Sequence, residues 1–336
     1  MDRTVLTLPD DLPSVALTGP HDSYIRAVEG AFPEVSITVR GNEVILRGPG
    51  ESNAKVQKLL SNFLAVVRSG QLLSDDAVRR SIAMILSDGN ESPAEVLTLN
   101  ILSNRGKTIR PKTVNQKRYV DAIDKHTVTF GIGPAGTGKT YLAMAKAVQA
   151  LQSKHINRII LTRPAVEAGE RLGFLPGTLH EKIDPYLRPL FDALHDMLDP
   201  DAIPRLMSSG TIEVAPLAYM RGRTLNDSFI ILDEAQNTSP EQMKMFLTRL
   251  GFGSKMIVTG DITQIDLPNH QQSGLEVVRE ILEDIQDISF MELTSEDVVR
   301  HRLVSEIVDA YGRFDSELGS RSVRQNIKPR SLRSDR

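Results

Sequence analysis

The amino-acid sequence predicts an α/β protein in which a mostly parallel sheet, covered by helices on both faces, is preceded by a small α/β domain. Two observations carry this. From about Asn115 onward, buried apolar runs alternate with amphipathic helical stretches, the pattern of a sheet shielded on both sides. The runs are residues 127–132, 158–162, 229–232, 255–259 and 288–293. Ahead of them, residues 14–70 mix helical and two-residue periodicity within one short unit. At 336 residues the chain accommodates one large domain and a smaller one.

In the small unit, Val15-Ala16-Leu17 reads as a short strand. Gly19-Pro20-His21-Asp22 reads as a turn capping a helix, in which Tyr24, Ile25, Val28 and Phe32 fall at helical spacing. Residues 35–39 and 44–46 alternate around Arg40-Gly41-Asn42-Glu43, a hairpin signal. A second helix follows Gly50, with Val56, Leu59, Leu60, Phe63, Leu64 and Val67 on one face, and residues 74–86 predict another. The boundary is placed in the turn-rich stretch at residues 87–93. The resulting division is 1–86 small domain, 87–112 linker, 113–314 sheet domain and 315–336 a basic, disordered tail.

Composition narrows the function classes. No apolar run approaches the roughly 20 residues needed to span a bilayer, and the N-terminus lacks a basic start followed by an apolar block, so a cytoplasmic protein is expected. The chain has no cysteine, which excludes disulfides and thiolate metal sites. A net charge of −3 does not by itself call for a nucleic-acid partner, although basic residues gather after Tyr311. His180, His195 and His301 are too scattered to suggest a metal centre.

The chemistry is concentrated in Gly133-Pro134-Ala135-Gly136-Thr137-Gly138-Lys139-Thr140, which matches the phosphate-loop pattern at every required position. Glycines at 133, 136 and 138 permit the backbone to turn successive N–H groups onto a polyphosphate. Lys139 supplies a point charge for the terminal phosphates and the Thr140 hydroxyl a ligand for Mg²⁺. A strand precedes the loop and a helix follows, so the helix dipole faces the anion. The second half of the site is the apolar run 229–232 followed by Asp233 and Glu234, at the end of a strand where ligands collect in such sheets. Asp233 is placed to hold Mg²⁺ through water, and Glu234 to polarise an attacking water. Gln264, after the next buried run, can sense the γ-phosphate and orient that water. Gln116, upstream of the loop, can read an adenine edge, since one amide offers both a donor and an acceptor.

With these go Pro111-Lys112-Thr113-Val114-Asn115-Gln116, Leu161-Thr162-Arg163-Pro164 and the residues up to Glu170, Leu172-Gly173-Phe174-Leu175-Pro176-Gly177, and Met220-Arg221-Gly222-Arg223-Thr224. Asp233-Glu234-Ala235-Gln236-Asn237 and the stretch from Thr259 to Asp266 complete the set. Over residues 105–312 the ordered set resembles the PhoH-like ATPases, whose RecA-like P-loop core is similar to the first motor domain of superfamily-one helicases. The resemblance implies ATP and Mg²⁺ as ligands, ATP hydrolysis, a cytoplasmic location, and a link to RNA metabolism or phosphate starvation. It also implies a KH-like module ahead of the core. Here the sequence departs from the pattern, because no G-x-x-G lies between residues 14 and 70 to clamp a nucleic-acid backbone.

Motors of this type close the ATP site between two tandem domains, whereas this chain has one phosphate loop. Phosphoryl transfer generally uses an arginine on the γ-phosphate. A neighbouring subunit of a homo-oligomeric ring is therefore expected to supply it, with Arg300 favoured over Arg302, Arg223 and Arg163. The family carries proline where Arg302 stands. Residues 187–194 read as a packed helical insertion. The leading expectation is an oligomeric ATPase acting in RNA metabolism, on RNA as a helicase-like motor or on an RNA-processing protein; the alternative is an ATP-dependent switch or scaffold that recruits an RNA-processing partner with little turnover. A small-molecule kinase is disfavoured by the glutamines at 116, 236 and 264.

Overall fold

The computed structural model describes residues 2–9, 11–87, 92–164, 179–268 and 271–299, without the side chains of 179–186. The motif segments at 165–170 and 172–177, the boundary residues 88–91, the His180 side chain, His301, Arg300, Arg302 and the basic tail lie outside the described residues. A compact unit runs to Asp297, and Val298 and Val299 are the described residues of the unit that follows.

The small domain opens with β1 (Asp2–Thr7), then α1 (Ser14–Thr18), α2 (Ser23–Ala31), β2 (Ser36–Arg40), β3 (Glu43–Gly48), α3 (Gly50–Arg68) and α4 (Asp75–Leu86). Its sheet is antiparallel in the order β1-β3-β2. Arg40 pairs with Glu43 across the expected hairpin, and Gly41 takes a φ of +59° in its loop. Leu17, Val28, Val44, Leu46, Val56, Leu59, Leu60 and Phe63 are fully buried in its core. The expectation of a strand at Val15-Ala16-Leu17 is corrected, because these residues lie in α1. Pro13 at the N-cap starts a helical turn, and packing of Leu17 into the core fixes it. The third strand is supplied instead by β1, on the sheet edge, whose charged and hydroxyl residues face mostly outward.

Residues 93–109 were expected as linker and are ordered structure. In α5 (Pro93–Thr98), Val96 and Leu97 are buried, and the Asn62 side-chain carbonyl accepts from the Ala94 N–H at 2.9 Å. A hairpin follows, β4 (Leu102–Asn104) and β5 (Lys107–Ile109). Arg105 and Gly106 form its two-residue turn with φ of +48° and +78°, the positive angles that suit strand twist. Leu102 and Ile109 enter the core of the larger domain.

That domain comprises α6 (Val114–Lys125), β6 (Val128–Ile132), α7 (Lys139–Gln152), β7 (Arg158–Arg163), α8 (Leu179–Met197), α9 (Ile203–Ser208) and β8 (Ile212–Pro216). It continues with β9 (Ser228–Leu232), α10 (Pro240–Leu247), β10 (Lys255–Gly260), α11 (Gly274–Leu282) and β11 (Ile288–Glu292). The six strands are parallel in the order β11-β6-β10-β9-β7-β8. Alternate residues divide between two cores. Ile159, Leu161, Ile231 and Ile257 pack under Tyr119, Ile123, Val148 and Leu194 on one face. Ile160, Ile230, Met256 and Val258 meet Met243, Phe246 and Leu275 on the other. Each such side chain contributes about 1.5–3 kcal/mol by leaving water. Phe130 and Phe290 stack with centroids 4.4 Å apart and tie β6 to β11. β8 was not anticipated, and its closing Pro216 is compatible with an edge position. The parallel arrangement gathers Gly133, Arg163, Asp233 and Asp261 at one end of the sheet. Among the described residues, no helix is long and apolar enough to cross a membrane.

Candidate functional site

At the carboxyl end of β6 the chain turns into the phosphate loop. The Gly133 N–H donates to the Gly260 carbonyl at 3.1 Å, and a Cβ on Gly133 would stand 2.2 Å from the Leu293 carbonyl oxygen. Only glycine fits so close to that backbone. Gly136 and Gly138 adopt φ of +85° and +81°, and Gly138 is the N-cap of α7, so the loop delivers its amides at a helix N-terminus. Lys139 is the first residue of that helix and is buried, its ammonium donating to the Gly133 carbonyl at 2.6 Å and the Pro134 carbonyl at 2.8 Å. Burial pushes its pKa down, against the opposing pull of Asp261, Asp233 and Glu234.

One residue further, the Thr140 hydroxyl donates to Asp233 Oδ1 at 2.6 Å, and the Thr259 hydroxyl donates to the same oxygen at 2.9 Å. Asp233 is buried at the end of β9. Both bonds fall on Oδ1, which leaves Oδ2 for a cation or its water. A hydroxyl and a carboxylate side by side are hard oxygen donors of the kind Mg²⁺ takes, so these residues fit the ion. Glu234 follows in the left-handed region, at φ +54°. Its Oε1 lies 3.2 Å from Arg163 Nη2 and its Oε2 accepts from Gln236 Nε2 at 2.5 Å.

A second layer connects these parts. Asp261 is buried, and its Oδ2 accepts from the Ala135 N–H at 3.1 Å and from Gln264 Nε2 at 2.9 Å. Gln236 Oε1 accepts from the Asp261 N–H at 3.0 Å, and its Nε2 also donates to the Gln264 carbonyl at 3.2 Å. Gln116 lies beneath the loop with its amide committed to backbone. Oε1 accepts from the Lys112 N–H at 2.7 Å, while Nε2 donates to the carbonyls of Thr137 at 3.0 Å and Asp297 at 3.3 Å. In this arrangement Gln116 braces the loop, and contact with a base would require exchanging those bonds. Asp297 is itself 1% exposed and accepts from the Thr113 hydroxyl at 2.5 Å, Asn115 Nδ2 at 3.0 Å and the Thr294 N–H at 2.7 Å.

A cavity of about 380 Å³ lies over the loop, bounded by Lys139, Thr140, Asp233, Glu234 and Gln264. Tyr141 and, from α8, Pro189, Leu190 and Ala193 close its apolar side.

The structure thus brings together the loop residues Gly133, Pro134, Ala135, Gly136, Thr137, Gly138, Lys139 and Thr140 with Asp233, Glu234 and Gln264, and places Gln116 behind them. Of the arginines, Arg163 joins the cavity, whereas Arg223 is bidentate to Glu213 at 2.6 and 2.7 Å, and that bond raises its pKa. Arg300 and Arg302 lie outside the described residues. Sequence reasoning gave no individual role to Asp261, Thr259 or Tyr141, and took the α8 segment for an insertion of unassigned contact. Tyr141 carried a readable signal, an aromatic ring directly after the lysine–threonine pair. The role of Asp261 carried none, since it depends on which strand lies beside β6.

Comparison with known proteins identifies the family of the chain. The family model described as PhoH-like protein matches residues 108–312. A PhoH-like protein of Mycobacterium tuberculosis is 68% identical over 313 residues, covering 93% of this chain and 88% of the relative. One from Bacillus subtilis is 54% identical over 304 residues, covering 90% and 94%. The protein PhoH of Escherichia coli is 46% identical over 198 residues, covering 58% and 56%. Among solved structures, a SWI2/SNF2 ATPase core from Sulfolobus solfataricus overlaps 54% of this chain and 43% of its own at 13% identity with a TM-score of 0.33, too loose a match to carry an argument. On the extent and identity of these matches, the chain belongs to the PhoH-like protein family.

Proposed function

We propose that this protein binds ATP with Mg²⁺ at the phosphate loop and hydrolyses it, as an oligomeric ATPase acting on RNA or on an RNA-processing protein. The observation that carries the reading is the Thr140–Asp233 contact of 2.6 Å under the loop, with Glu234 next in sequence and in the same cavity. Thr140 and Asp233 would hold the ion, directly and through water, and the ion would neutralise charge on the phosphates. Lys139 would exchange its carbonyl partners for phosphate oxygens. Glu234 would take the proton of the attacking water, with Gln264 fixing its line of approach. Tyr141 and the α8 wall offer an apolar face for the nucleoside. Arg300 of a neighbouring subunit would complete the charge on the γ-phosphate, which would make the working form a homo-oligomer. The protein would act in the cytoplasm.

The decisive measurement is phosphate release with and without single-stranded RNA, with Glu234→Gln as control. Turnover that rises with RNA and is abolished by Glu234→Gln is the expected result; turnover undiminished in Glu234→Gln would remove that residue from its role. For the shared site, Arg300→Ala and Lys139→Ala chains are each expected to be inactive and to regain part of the activity when mixed. No recovery would exclude Arg300 as the shared group. One observation favours the second reading, a switch with little intrinsic turnover: Glu234 is engaged at both oxygens.

A further inference from the structure

That engagement has a specific source. Thr162 pairs with Leu232 between neighbouring parallel strands, so Arg163, the last residue of β7, emerges beside Asp233 and Glu234. The guanidinium therefore reaches Glu234 Oε1 as a consequence of sheet register, at 3.2 Å. On the other side Gln236, 1% exposed and held by Asp261 and Gln264, fixes Oε2. The arginine and glutamate side chains are 21% and 34% exposed, so water screens their attraction only in part. A general base needs a lone pair directed at its water, and a carboxylate engaged at both oxygens offers a poor one. Arginine also binds phosphate oxygens with the same planar fork that it offers a carboxylate. A phosphate-rich polymer crossing this end of the sheet would compete with Glu234 for the guanidinium.

Resting on the ATPase reading above, we infer that Arg163 is a positioning residue that restrains Glu234, and that single-stranded RNA relieves the restraint by taking Arg163 onto its phosphates. The sign of the effect separates this from a catalytic role. In the full chain, Arg163→Ala and Arg163→Gln should each raise phosphate release without RNA by about threefold or more at saturating Mg·ATP. Both should bring the ratio of rates with and without an oligouridine toward one, the gain appearing in kcat rather than as a lower KM for ATP. A fall in the RNA-free rate would make Arg163 a group acting on the reaction itself and overturn the inference. So would an unchanged rate and ratio, or stimulation lost from the parent but supplied by a protein.

A second readout needs no turnover. In the protein without nucleotide, the Tm changes of Arg163→Ala and Glu234→Gln should fail to add by about 1–3 °C, as expected for a partly screened ion pair. Strict additivity would show that the pair does not form. If Glu234→Gln turns over like the parent, the assignment of Glu234 as the base fails, while this thermal cycle still reports on the pair.

Discussion

Asp297 offers the most direct test of how the site is braced. Its carboxylate is buried and receives the Thr113 hydroxyl, the Asn115 amide and the Thr294 N–H. Thr113 is buried as well and caps α6, accepting from the Gln116 N–H at 3.2 Å. Truncation to alanine removes the acceptor, strands the buried Thr113 hydroxyl, and takes one bond each from the Asn115 amide and the Thr294 N–H. The stranded donor costs about 1–3 kcal/mol and each lost bond about 0.5–1.5 kcal/mol, so Asp297→Ala should lose about 2–6 kcal/mol. For a domain of this size that corresponds to roughly 5–15 °C in Tm, read by scanning calorimetry on the full chain. Asp297→Asn keeps one acceptor oxygen but turns an NH₂ group toward donors, and should lose about 1–3 kcal/mol. Glu296→Ala, one residue earlier and exposed, should stay within about 0.5 kcal/mol and serves as the control. A Tm for Asp297→Ala within about 2 °C of the parent would refute the claim that this carboxylate organises the segment.

Further outcomes follow from the loop itself. Gly133→Ala forces a methyl group to within 2.2 Å of the Leu293 carbonyl. The variant should lose about 1–3 kcal/mol to overpacking and lose Mg·ATP binding by isothermal calorimetry. Glu234→Asn and Glu234→Ala both give up the Arg163 and Gln236 contacts, but asparagine tolerates the left-handed region at φ +54°, so its Tm should exceed that of Glu234→Ala by about 2–4 °C, with turnover abolished in both; equal Tm values would show that the left-handed backbone sets no preference there. Lys139 has its folded pKa lowered by burial. Between that value and the unfolded value of about 10.4 the folded protein binds fewer protons than the unfolded chain, so parental stability rises with pH across this window. Lys139→Met lacks that slope, and its stability relative to the parent should fall as pH is raised toward about 10, measured by urea midpoints. A constant difference across pH would contradict the lowered pKa.

The strands of the parallel sheet were legible because each is an apolar run bounded by polar residues, and the phosphate loop because the backbone geometry it needs restricts the residue types. β1 and β8 were not, since both are edges: Asp2, Arg3 and Glu213 interrupt any apolar pattern where one side meets water. Val15-Ala16-Leu17 misled because three apolar residues carry no period, and the packing of Leu17 decided for a helix. The hairpin at residues 102–109 had a signal in Asn104-Arg105-Gly106, obscured by its brevity and its place between domains. Around the site, residues acting along one strand or loop were readable. The Arg163–Glu234, Asp261–Ala135 and Asp297–Thr113 contacts were not, because they join positions 71, 126 and 184 residues apart, and only strand order brings them together.

The place of β6 in that order has a consequence for how the protein is made. The strand that carries the phosphate loop is flanked by β10 and β11, both far downstream, with Phe290 stacked on Phe130 across the outer seam. During synthesis, residues 128–132 must therefore wait for residues 288–292, 160 positions later, before that side is sealed. At about 5–20 residues per second the interval is on the order of 8–32 s, during which a strand that is buried at every position in the finished fold has an unpaired border. Mature ATP binding would thus report completion of the sheet, and ribosome-bound chains that have not yet exposed β11 should fail to retain nucleotide.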